Sequence, residues 1–176
     1  GRPGAESRRG EIATARAVAE TLGFPVHEIE APGTLDGGDV LKIGRTVYVG
    51  ASSRTNDDGI RQLEALLSPR GWKVVAVPVT RVLHLKSAVT ALPDGTVIGY
   101  EPLVDDPSVF PRFLPVPEEH GTAVVVLDEA TVLMSADAPQ TAALLRSRGL
   151  TVIQTPVTEF EKLEGCVTCL SVRVRR

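Results

Sequence analysis

Three residues of types that carry covalent chemistry stand at one phase of a repeating pattern. Asp36 lies in LDGGD, just before a hairpin pattern, and His84 lies in LHLKS, just before a second one. Cys169 lies in TCLS, at the start of the last strand pattern. A cysteine, an imidazole and a carboxylate are the nucleophile, base and orienting group of covalent catalysis. Each also has a plainer reading. A histidine in apolar surroundings is commonly structural, and Asp and Gly in LDGGD both suit a turn. Cys166 and Cys169 have the CxxC spacing of redox and zinc sites. A zinc site would want a second ligand pair, and a redox CxxC usually opens a helix, whereas GCVTCLS leads into an alternating strand pattern. No metal site is expected.

The elements that must position these residues form a repeat of hairpin, helix and strand. In the first unit, DVLKIGRTVYVG splits into two short runs at Gly44-Arg45. Ile60, Leu63, Leu66 and Leu67 then recur at helical spacing, with Thr55 or Asn56 as N-cap, and WKVVAVPV reads as a buried strand. The second unit has a hairpin turn at Asp94-Gly95, a weak, proline-broken helical stretch over 105–113, and FLPVP. The third has a turn at Asp128-Glu129 and a helix with Pro139 near its start and Gly149 past its end. Its closing strand is LTVIQTPV. Residues 10–30 read as a helix and a strand, FPVHEIE, and CVTCLSVRVRR reads as one more strand. Mixed modules of this size placed around an axis make an α/β propeller, in which equivalent positions converge. Three complete modules with incomplete ends predict a single α/β domain over 1–176 that lacks N-terminal sequence.

Composition narrows the function class. The chain has 176 residues, 43% hydrophobic and 23% charged, with a net charge of −3. That suits one globular domain with a sizeable core. Aromatics at 4% and interspersed charges argue against nucleic-acid binding. No apolar run reaches the roughly 18 residues of a membrane span, and the start is not a signal peptide. Two cysteines make no disulfide framework, so a cytoplasmic setting is expected.

Five words in order, RPGAESRR, TLDGGDVL, RTNDDG, LHLKS and TEFEKLEGCVTCLS, resemble the dimethylarginine dimethylaminohydrolases of the guanidine-modifying superfamily. The resemblance implies a five-bladed α/β propeller, here incomplete at the N-terminus. It also implies hydrolysis of an Nω-methylated arginine to citrulline, with no cofactor. Cys169 would be the nucleophile, His84 the general acid and base, and Asp36 its orienting partner. Arg8 and Arg54 would hold the substrate α-carboxylate. Glu164 would contact the substrate amino group, and Leu163 the same end through its backbone. Cys166 stands where the family does not require a cysteine. The residue types make sense: a guanidinium carbon resists attack, and a thiolate is the strongest nucleophile available near neutral pH.

Arginine deiminase or amidinotransferase chemistry is the alternative within the superfamily. Deiminases place an Asp two residues after the histidine, where this chain has Lys86. An inactive propeller fragment with a binding role is the alternative outside it. Asp39 is expected to be structural. Open module faces would favour a homodimer.

Overall fold

A computed structural model describes residues 1–172, which form two compact units, the first running Gly1–His84 and the second beginning at Leu85. The first unit opens with a 3₁₀ turn, Glu6–Arg8, and helix α1, Glu11–Thr21. A second 3₁₀ turn, Gly37–Asp39, leads into β1 (Val40–Ile43), β2 (Thr46–Ala51), α2 (Asp57–Leu67) and β3 (Lys73–Pro78). β1 pairs antiparallel with β2, from Val40 opposite Val49 to Ile43 opposite Thr46, and β2 pairs parallel with β3. Gly44 makes the hairpin turn at φ 54, a conformation that glycine adopts without steric penalty. The Asn56 side chain caps α2 by accepting from the Gly59 amide at 2.9 Å. That helix lays Ile60, Leu63 and Leu67 against Val47 and Val49.

The second unit holds two sheets with the same connectivity. After a short helix, α3 (Leu85–Ala88), come β4 (Val89–Ala91), β5 (Val97–Gly99) and β6 (Phe113–Pro115). Then follow β7 (Val124–Val126), β8 (Thr131–Ser135), α4 (Pro139–Ser147), β9 (Thr151–Thr155) and a short helix, α5 (Thr158–Glu161). In each sheet the first pair is antiparallel and the second parallel. Between β5 and β6 the chain makes two 3₁₀ turns, Glu101–Leu103 and Pro107–Val109, because Pro102 and Pro107 interrupt any longer helix. Thr90 joins the two sheets: its hydroxyl donates to the Thr122 carbonyl at 2.5 Å and accepts from the Val124 amide at 3.2 Å. Ile98, Val132, Met134 and Leu145 form a shared core with no solvent exposure.

Two expectations fail. Residues 24–30 form no strand. No described strand pairs with them; the Glu30 amide instead donates to Gln62 Oε1 at 2.7 Å and its carbonyl accepts from Gln62 Nε2 at 2.9 Å. The strand expected from Cys166 onward is replaced over 166–170 by a turn, closed by the Cys169 amide donating to the Cys166 carbonyl at 2.9 Å. The remainder of that predicted strand, residues 173–176, lies outside the described residues. Among the described residues no helix is long and apolar enough to cross a membrane.

Candidate active site

The Gly37–Asp39 turn places two carboxylates on the first unit in different surroundings. Asp36 is 5% exposed, and its Oδ2 lies 3.0 Å from Nε2 of His84. Its Oδ1 accepts from the Gly4 amide at 3.1 Å, and an Arg8 guanidinium nitrogen stands 3.9 Å from Oδ2. With Asp36 accepting, Nε2 is the protonated nitrogen of a neutral His84 and the lone pair falls on Nδ1. Gly38 permits this contact, since a Cβ there would lie 2.6 Å from Cγ of His84.

Asp39 has no exposure at all. Its Oδ2 accepts from the Ser52 and Thr55 hydroxyls, each at 2.7 Å. The same two hydroxyls reach back to the backbone. Ser52 Oγ accepts from the Arg54 amide at 3.0 Å, and Thr55 Oγ1 accepts from the Asp36 amide at 3.1 Å. The buried carboxylate therefore sets the loops that carry Asp36 and Arg54 through one bridging hydroxyl each. Gly4 adds a third tie, because its Cα packs so closely on the Arg54 backbone that a Cβ would meet the Arg54 carbonyl at 2.6 Å.

Arg8 is half exposed and forked onto Glu11, with its Nε at 3.1 Å and its Nη2 at 2.8 Å from the two carboxylate oxygens. The hydrogen bond to Glu11 raises the Arg8 pKa and lowers that of Glu11. Arg54 is half-buried. Four of the seven expected residues (Arg8, Asp36, Arg54 and His84) are thus tied together within the first unit.

The other three lie on one short segment of the second unit. Leu163 is 83% exposed, and Glu164 adopts φ 58, an unusual conformation for a residue with a side chain. Both follow α5, whose Phe160 carbonyl accepts from the Leu163 and Gly165 amides at 2.9 and 2.8 Å. Cys169 is exposed and Cys166 half-buried. Their sulfurs are 3.3 Å apart, and the Cys166 sulfur also lies 3.0 Å from the Thr168 hydroxyl. The hydrogen bond from Cys169 brings the Cys166 thiol down to about 5, against its burial. The same bond, with burial, pushes the Cys169 thiol above the usual range. The pair offers one negative charge shared by two sulfurs.

No protein-family model matches the chain. A protein of Streptomyces coelicolor called N(G),N(G)-dimethylarginine dimethylaminohydrolase is 62% identical over 174 residues, spanning 99% of this chain and 67% of the relative. This chain belongs to the dimethylarginine dimethylaminohydrolase family. A family member from Pseudomonas aeruginosa is 36% identical over 177 residues, covering 98% of this chain and 69% of the relative. The solved structure of a cysteine-to-serine mutant of the Pseudomonas aeruginosa enzyme, complexed with citrulline, matches with a TM-score of 0.89. That match has 34% identity over 98% of this chain and 69% of the other. The N-terminal domain of ArgZ, covalently bound to a reaction intermediate, matches with a TM-score of 0.87 at 26% identity, over 99% of this chain and 69% of the other.

The glycine at position 38 and the Ser52–Thr55 bridge were not singled out from sequence. Thr55 reads equally well as a helix cap. The signal was there in Asp39, since a carboxylate next to a strand rich in Val and Leu must find hydroxyl or amide donors when buried.

Proposed function

We infer that this chain hydrolyses Nω-methylated arginine to citrulline and a methylamine through a covalent adduct on Cys169. Membership of the family gives the reaction. The observation that carries the assignment to this chain is the Asp36–His84 pair at 3.0 Å, a buried carboxylate on a half-buried imidazole, which leaves the neutral ring its lone pair on Nδ1. The three modules are read as blades of a five-bladed α/β propeller, with the chain forming one catalytic domain.

In this reading neutral His84 first takes the Cys169 thiol proton on Nδ1, and the resulting thiolate attacks the central guanidinium carbon. His84, in its protonated form, gives a proton to the departing dimethylamine or methylamine nitrogen as its C–N bond breaks. A thiouronium remains on the sulfur. His84, now neutral, takes a proton from water, whose oxygen adds to the same carbon. The C–S bond then breaks, the hydroxyl proton passes to solvent as the citrulline carbonyl forms, and the Cys169 sulfur takes its proton back from His84. Acid–base help of this kind is worth about 10²- to 10⁴-fold. Asp36 does not touch the reacting atoms. It holds the ring and stabilises the imidazolium, as the carboxylate of a triad does. Arg8 and Arg54 hold the substrate carboxylate, and Glu164 and the Leu163 backbone hold its amino group. Glu11 already fills the Arg8 fork with a carboxylate, so substrate binding exchanges one carboxylate for another.

Lys86 favours a methylated substrate over arginine, because it denies the unmethylated nitrogen a second carboxylate. The test is citrulline release from asymmetric dimethylarginine and from arginine, side by side, with Cys169→Ser as control. Release from the methylated substrate alone, absent in the control, is expected. Release from arginine alone would make the chain a deiminase. Turnover surviving in the control would remove Cys169 as nucleophile.

A further inference from the structure

We propose that Cys166 and Cys169 form a dithiol that peroxide closes to a disulfide, reversibly withdrawing the nucleophile. The reading of Cys169 as nucleophile underlies the functional half of this statement; the bond itself does not depend on it.

The geometry is favourable in three respects. The sulfurs stand 3.3 Å apart, so closing to the roughly 2.05 Å of a disulfide needs little more than 1 Å of approach. The backbone between them is already folded into a turn, with the Cys169 amide on the Cys166 carbonyl at 2.9 Å. The two thiols also differ in setting. Cys166 packs against a small apolar cluster that includes Val125, Val157 and Val167, so its sulfur is held in place. Cys169 is exposed and open to small solutes. A thiol at about 5 keeps Cys166 ionised at neutral pH, and the thiolate is the form that peroxide oxidises.

The steps balance. A thiolate sulfur of the pair attacks one peroxide oxygen, the O–O bond breaks, hydroxide leaves, and a sulfenic acid forms. The second sulfur then attacks the first. The S–S bond forms, the S–O bond breaks, and hydroxide leaves and takes up a proton. Two thiols are oxidised and one peroxide is reduced to two waters. A dithiol reductant reverses the disulfide by exchange. A nucleophile without such a neighbour climbs instead to sulfinic and sulfonic acids, which thiols do not reduce. The arrangement gives an off state and protects the catalytic sulfur at the same time.

The chain has two cysteines, so a monomer that loses two hydrogens must hold this bond. The test treats the reduced chain with equimolar hydrogen peroxide, then reads intact mass and citrulline release on the same sample. The expected result is loss of two hydrogens, with activity falling in step with the oxidised fraction and both returning with dithiothreitol. Cys166→Ser under repeated doses should instead gain oxygens at Cys169 and lose its own starting activity beyond rescue by dithiothreitol. Oxygen addition to the unaltered chain with no loss of two hydrogens overturns the proposal. A monomer that has lost two hydrogens but turns over at full rate overturns it through the other premise, that Cys169 is the nucleophile.

Discussion

Adjacent glycines in LDGGD should differ sharply in their response to the same small change. At Gly38 an added Cβ would lie 2.6 Å from Cγ of His84, 2.8 Å from Cδ2 and 3.0 Å from Cβ. At Gly37 it would meet nothing within 4 Å. Neither position has a positive φ, so backbone conformation does not separate them. In Gly38→Ala the imidazole must retreat by about 0.8 Å to regain the 3.4 Å of ordinary contact. A retreat of that size along the 3.0 Å bond to Asp36 takes it beyond hydrogen-bonding range. A misplacement near 1 Å at a reacting group costs about a hundredfold in rate. Gly38→Ala should therefore lower kcat for the methylated substrate by tens-fold to about a hundredfold. The overpacking should cost about 1–3 kcal/mol of stability. Gly37→Ala should stay within about twofold of the unaltered chain. The assay is citrulline release with a thermal melt of each variant, so that loss of fold is separated from loss of alignment. A folded Gly38→Ala variant with kcat within about threefold of the unaltered chain would refute the claim that His84 depends on this contact.

Three further outcomes follow from the same geometry. Asp39→Ala should destabilise the chain by about 3 kcal/mol, because it strips the acceptor from the buried Thr55 and half-buried Ser52 hydroxyls; a drop in Tm of about 6–12 °C checks it. Glu11→Gln should lower KM with kcat unchanged, because it frees the Arg8 fork for the substrate carboxylate; an unchanged or higher KM would remove Arg8 from substrate binding. The thiol pair should add a pH-dependent share of stability. Its first proton leaves at about 5 in the folded chain and near 8.5 in the unfolded one, so this share grows as pH rises through that window and is lost as pH falls toward 5. The second proton leaves the folded chain later than the unfolded one, so stability declines again above about 8.5. Denaturant unfolding across this range should show the maximum, and Cys166→Ala should flatten it.

Much of the fold could be read from the chain because each module is locally self-consistent. DVLKIGRTVYVG carries a glycine at the one point where a positive φ is required, and α2 places its apolar residues on a single face above the sheet. Asn56, Pro139 and Gly149 mark helix ends by chemistry that depends only on near neighbours. The failures occur where pairing is nonlocal. FPVHEIE has strand composition, yet a strand exists only with a neighbour, and no alternation within seven residues reveals whether one is present. GCVTCLS failed for the same reason, and its turn brings together two side chains that a strand would have sent to opposite or separate places.

The site divides along a similar line. Residue types announce chemistry, so Asp36, His84 and Cys169 could be singled out before any coordinates. What holds them is set by distances that residue type does not encode. Both acids of LDGGD are buried, and composition gives no reason to prefer one as the partner of His84. The choice is made by donors from elsewhere. The Ser52 and Thr55 hydroxyls converge on Asp39, while Asp36 faces an imidazole and an exposed arginine. A carboxylate that anchors two loop hydroxyls holds backbone in place. One whose partner is a titratable ring can stabilise the charge that appears there during turnover. Thr55→Val, which keeps the shape and removes the bridge from Asp39 to the Asp36 amide, should thus lower kcat while the Asp36 and His84 side chains remain intact.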